Sequence, residues 1–338
     1  EWQVRAEFCE IEANAEVIWA NTNSRASDIQ RWAMAMITPA TSGSGPKSIL
    51  GVTNKMVEMF YTDKGVPITE AKQADWNYND RLSLKTAGVN DRFYIKQGER
   101  TVALHFKREP RFYAFVGFDR GIWFGNWSGN YDAKKTIYHV ATRKGETAAR
   151  QGISNYCITG NYAKKLVHLQ TAGAQSDGNV TGANMNVYPW PEIRLADLYL
   201  MYAEALNEVN GYSTETTRWI NLVRERASLP TVEESWTNYS TDPSKYTTKE
   251  GLREIIQQER AIELMFEGHR YWDLKRWKKA HVALNQPIRA WDITQDKPEA
   301  YYTEILLANQ RFYMRDYFFP IEISEMQINR NLIQNPGW

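Results

Sequence analysis

After Trp190 the apolar positions fall into the 3.6-residue rhythm of amphipathic helices. Leu195, Tyr199, Tyr202, Leu206 and Val209 recur at steps of 4, 3, 4 and 3, which predicts a helix with these side chains on its packed face. Pro191 suits the first turn of that helix, and Gly211 suits its C-terminal cap. A second helix is expected over about 215–228, with Trp219, Ile220, Val223 and Ala227 on one face and Pro230 just beyond its end. A third starts at Thr247-Thr248-Lys249-Glu250, which reads as a capping box with its hydroxyl on the Glu250 amide. Its apolar face carries Leu252, Ile255, Ile256, Ile262 and Phe266, and Gly268 interrupts it before a further helical segment through Trp272 and Trp277. Short connections between such helices predict antiparallel hairpins, the unit of tetratricopeptide-like solenoids, although no exact internal repeat is present.

The front of the chain has a different rhythm. Ala15–Ala20 alternates as a strand does, and 51–61 reads as a short helix capped by Thr53 or Asn54. From Thr62 to Pro191 the punctuation is dense in Gly, Asn and Asp, and alternating patches such as Thr101–Phe106 predict short strands joined by long loops. The expected fold is therefore mainly α, with helical hairpins and an irregular region carrying short strands. Three stretches are expected: 1–61, a loop-rich 62–190 and a helical 191–338.

Composition narrows the function classes. Lys and Arg number 41 against 40 Asp and Glu, a net charge of +1, so no overall field favours nucleic acid. With 43% hydrophobic and 24% charged residues the chain lacks the signature of disorder. No run approaches the roughly 18 apolar residues of a membrane helix. Its opening, Glu1 to Arg5, carries no initiator Met, signal peptide or lipidation Cys, and the start is expected to be processed or truncated. Cys9 and Cys157 match no metal framework and are either paired or two buried thiols.

Residues 259–277 are dense in titratable groups. Glu259, Glu263 and Glu267, spaced by four, share one helical side, and Arg270, Asp273 and Arg276 are expected to complete an ion-pair lattice rather than a catalytic centre. His269 is the only imidazole there, so no metal site is expected, and no cofactor motif occurs. The chain has no G-x-S-x-G elbow, and 43–48 lacks phosphate-loop spacing. Paired carboxylates for glycoside hydrolysis sit in no distinguishing local motif.

The aromatic content stands out, with 13 Trp, 19 Tyr and 12 Phe. Trp123, Phe124, Trp127 and Tyr131 lie interleaved with Gly and with Asn126 between Asp119 and Asp132. Flat rings beside amides and carboxylates suit the C–H faces and hydroxyls of sugars, so these residues are candidate ligand contacts, with folding back onto the core as the alternative. Trp76 and Tyr78 form a second candidate patch.

Several segments together resemble the SusD/RagB family: Arg194–Asn207, Ile220–Ala227, Glu259–Trp277, Arg108–Ala114, and the closing Tyr317–Ile321 and Asn331–Trp338. The segment Asn54–Phe60 and the strand around Val17 agree. The resemblance implies a tetratricopeptide-like fold and a lipid-anchored lipoprotein of the outer-membrane surface. It implies capture of an oligosaccharide, or in RagB-like members an oligopeptide, for a SusC-like TonB-dependent transporter, without catalysis. It also implies that an N-terminal portion bearing the lipid anchor precedes this chain. The family's ligand loops diverge, so the aromatic candidates rest on local chemistry alone.

Overall fold

The structure, a computed structural model, describes residues 2–10, 14–37, 45–123, 138–150, 152–176 and 179–338. Twelve α-helices and ten short strands occur among them. The helices used below are α1 (Trp2–Cys9), α2 (Ala26–Ala33), α3 (Asn54–Met59), α4 (Pro110–Phe115), α5 (Leu195–Asn210), α6 (Thr214–Arg226), α7 (Val232–Tyr239), α8 (Lys249–Glu263) and α9 (His269–Arg276). The strands form antiparallel pairs of two. One pair, Val17–Asn21 with Trp190–Arg194, ties the front of the chain to the start of α5.

Most helix ends follow from local chemistry. The Thr53 hydroxyl accepts from the Met56 amide and starts α3, and that of Ser213 accepts from the Thr216 amide and starts α6. The cap of α8 falls one residue later than the capping-box reading: Thr248 accepts from the Gly251 amide at 3.0 Å, while Thr247 closes a preceding 3-10 turn. Pro191 does not open α5. It pairs with Ala20 in the strand Trp190–Arg194, and the helix begins at Leu195. Strand structure also ends early in Thr101–Phe106, because Ala103–His105 turns as a 3-10 helix and Thr101 Oγ1 lies 2.6 Å from His105 Nδ1 across that turn.

The packed face of α5 differs from the expected stripe. Ala196, Asp197, Leu200, Ala203 and Asn207 are the buried positions, whereas Tyr202 is 47% and Val209 81% exposed. Both sides of this helix are apolar, so periodicity leaves the choice open. Small side chains permit close approach of α8, and the ion pair of Asp197 with Arg260 on α8, at 2.7 Å, orients the helix that way.

One apolar cluster runs from Val4 through Phe60, Phe112 and Tyr162 to Ile256 and Tyr302, so all three stretches contribute to a common core. Cys9 and Cys157 are separate buried thiols: Cys9 Sγ faces the Lys165 carbonyl and Cys157 Sγ the Asn161 carbonyl. Through the core passes the expected lattice, with other partners than expected. Arg111 meets Glu109, Glu259 and Glu263 at 2.7, 2.6 and 3.2 Å, Arg224 meets Glu259, and Arg194 meets Glu263 and Glu267. Each of these side chains is at most 3% exposed. Removing one member of such a network leaves an uncompensated buried charge, a loss of about 3–5 kcal/mol. Arg270 and Arg276 take no part in it. Arg276 pairs with Glu204 and Asp273 instead, and Asp273 also pairs with Arg260.

Candidate functional site

Two of the aromatic candidates belong to the core, which corrects the expectation that their rings face a ligand. Trp123 is 2% exposed. Its ring lies against Gly117, where an added Cβ would sit 2.7 Å from the indole, so the glycine makes room for the tryptophan. The Lys164 ammonium is 5.7 Å from the ring centroid and is itself held by the Tyr113 and Ile122 carbonyls. Trp76 is 7% exposed, and its indole N–H donates to the Phe106 carbonyl at 3.2 Å. Gly-rich surroundings do not expose a ring when the ring fills the space that the glycine vacates. Phe124, Asn126, Trp127 and Tyr131 lie outside the described residues.

Tyr78 remains at the surface, half-buried. Its hydroxyl donates to Glu58 at 3.1 Å, and the Arg81 guanidinium stacks over its ring at 4.3 Å while donating to the same carboxylate at 2.8 Å. Burial and the Glu58 charge raise the Tyr78 hydroxyl above its ordinary pKa. Glu58 connects this patch to a cleft of about 360 Å³ bounded by α3, α8 and α9. That volume suits a small polar ligand.

Its lining includes the amides Gln257 and Gln258, the cations Lys55, Arg270 and Lys279, the Trp277 indole and the carboxylates Glu58 and Glu254. Several are fixed in place. The Gln258 amide donates to the Met59 carbonyl at 2.9 Å, Lys279 to Gln257 at 2.6 Å, and the Trp277 indole to Glu204 at 2.7 Å. Lys55 donates to the Ala283 carbonyl at 3.1 Å. Burial, and then the nearby Arg270 charge, lower the Lys55 pKa. Burial also lowers that of Arg270, with Asp273 the opposing charge.

Of the residues around this cleft only Tyr78, at its edge, is a candidate contact from the sequence; Lys55, Gln257, Gln258 and Trp277 are not, and Arg270 is expected in the lattice. The available signal was Gly268: with φ +90° it resets the direction of the chain, so helical spacing across it predicts no neighbour.

A second cleft, of about 670 Å³, lies between α1, α5 and α6. Glu7, Glu16, Tyr199 and Arg226 are among its lining residues. Glu7 lies 2.7 Å from Arg226, yet burial pushes its carboxyl up to about 8, because Glu263 and Glu16 compete for the same cation. Among the described residues, no group of three or more His, Cys, Asp or Glu could hold a metal ion. No helix among them is long and apolar enough to cross a membrane.

Comparison with known proteins places this fold. SusD-like protein P2 of Formosa agariphila is 34% identical over 147 residues, which are 43% of this chain and 25% of that protein. The solved structure of BT4246 superposes with a TM-score of 0.78 at 23% identity, over 99% of this chain and 53% of that one. A SusD-like carbohydrate-binding protein from Bacteroides fragilis superposes with a TM-score of 0.51 at 26% identity, over 83% of this chain and 48% of that one. The chain thus spans about half the length of these solved structures. The sequence model of the SusD family matches residues 15–338, and the chain belongs to that family.

Proposed function

We propose that this chain is part of a surface glycan-capture protein that binds oligosaccharide and passes it to a SusC-like TonB-dependent transporter without chemical change. The carrying observation is the family match across residues 15–338. The likeness to a solved protein described as carbohydrate-binding supports the ligand class. In this reading the protein sits at the outer-membrane surface as a lipid-anchored lipoprotein, and α5 and α6 belong to a tetratricopeptide-like scaffold. Tyr78, Phe124, Asn126, Trp127 and Tyr131 are the proposed ligand contacts.

Calorimetric titration with panels of oligosaccharides and oligopeptides tests it. Saturable glycan binding is expected, and Trp127→Ala or Tyr131→Ala should weaken it by about 1–3 kcal/mol for each ring that anchors ligand. Binding of peptides alone would replace the glycan reading with a RagB-like one. New reducing ends released by the pure protein would overturn transport without chemistry.

A further inference from the structure

We infer that the cleft between α3, α8 and α9 holds the anionic group of an acidic sugar unit, a carboxylate or a sulfate ester, with Arg270 as its principal contact and Lys55 beside it. The inference deepens the glycan reading and rests on it for the sugar, though not for the anion.

Charge pairing along residues 259–276 is nearly complete. Glu259, Arg260, Glu263, Glu267, Asp273 and Arg276 each have an ion-pair partner. Arg270, in the middle of them and half-buried, has no hydrogen bond or ion pair among the described residues. A guanidinium offers five donors in a planar fork that matches an oxyanion with two parallel bonds.

The one opposing charge on Arg270, Asp273, is already shared by Arg260 and Arg276. The cleft is lined by the cations Lys55, Arg270 and Lys279 and by the carboxylates Glu58 and Glu254. Both carboxylates are already engaged away from Arg270, Glu58 by Arg81 at 2.8 Å and Glu254 by Lys245 at 3.0 Å. Lys55 and Lys279 donate to uncharged acceptors, the Ala283 carbonyl and Gln257. Two like charges, Lys55 and Arg270, therefore approach one another where desolvation already disfavours each of them. An anion between them relieves both costs at once, and a carboxylate or sulfate matches the guanidinium fork with two parallel N–H···O bonds. Trp277 and the amides of Gln257 and Gln258 supply an apolar face and polar contacts for the ring that carries the anion.

The test compares matched ligands on the same chain. Calorimetry is run with an oligogalacturonate and its carboxyl-reduced neutral counterpart, with a sulfated oligosaccharide and its desulfated counterpart, and with free galacturonate and inorganic sulfate. Expected is at least tenfold tighter binding of one acidic oligosaccharide than of its neutral counterpart, a preference that weakens in high salt. Arg270→Gln should remove the preference, and Lys55→Gln should reduce it. Because Arg270 makes no side-chain hydrogen bond or ion pair among the described residues, and Asp273 keeps Arg260 and Arg276, Arg270→Gln should keep the unfolding midpoint of the parent. Equal affinity for acidic and neutral forms would overturn the inference while leaving the glycan reading intact. Free anions that bind through Arg270, when no oligosaccharide binds, would uphold the anion contact and sink the glycan reading. Absence of binding by every anion would overturn the site, as would unfolding of Arg270→Gln, which would make Arg270 a scaffold cation.

Discussion

Glu7 shows how a close contact between opposite charges can fail to settle a carboxyl's protonation. Arg226 stands 2.7 Å away, but it also meets Glu16 and Glu263, and burial weighs against a further negative charge. The Glu7 carboxyl, raised from about 4.5 in the unfolded chain to about 8 in the fold, favours the folded state in its protonated form. That contribution is complete below about pH 4.5 and is lost as pH rises through 8. Urea unfolding across this range should therefore show the parent losing more stability toward alkaline pH than Glu7→Gln does. Parallel curves for the two proteins would mean that Arg226 keeps Glu7 ionised throughout.

At the scale of elements, the turn between α5 and α6 depends on Gly211. Its φ of +72° and ψ of −152° lie where essentially only glycine is comfortable. The space beside it is open, since an added Cβ would meet nothing closer than Lys249 Cβ at 3.9 Å. Gly211→Ala should thus destabilise through backbone strain alone, by about 1–3 kcal/mol, measurable by urea denaturation. Gly268 has a different demand. With φ +90° and ψ −9° it sits in the left-handed region that asparagine tolerates, so Gly268→Asn should be milder in the same assay. The two glycines look alike as punctuation, and backbone geometry separates them.

Across the whole molecule, the apolar cluster and the buried lattice join residues far apart in the chain. Arg111 on α4 holds Glu259 on α8, Arg224 on α6 holds the same carboxylate, and the strand at Val17 pairs with the strand leading into α5. Such sharing opposes independent unfolding of the three stretches. Denaturation followed by tryptophan fluorescence and by far-ultraviolet circular dichroism should give superimposable curves. Two separated transitions would show instead that the stretches fold as distinct units.

The helices of the second half were legible from the amino-acid pattern because local forces decide them. The Gly211 stop and the Leu252, Ile255, Ile256 and Ile262 stripe each depend on residues within a few positions along the chain. The motif spacing that resembles the SusD/RagB family was equally legible, and the match over residues 15–338 agrees with it. Which face of α5 is buried was not, since the helix is apolar on two sides and its packing against α8 makes the choice. Nor was the burial of Trp76 and Trp123, whose rings occupy space left by distant backbone and by Gly117. Arg270 is the sharpest instance. One-dimensional spacing offered it acidic neighbours, yet the turn at Gly268 sends those carboxylates to Arg111, Arg194 and Arg224 and leaves Arg270 facing a cleft. Local sequence determines what a segment can become, and long-range partners decide which of its groups are satisfied.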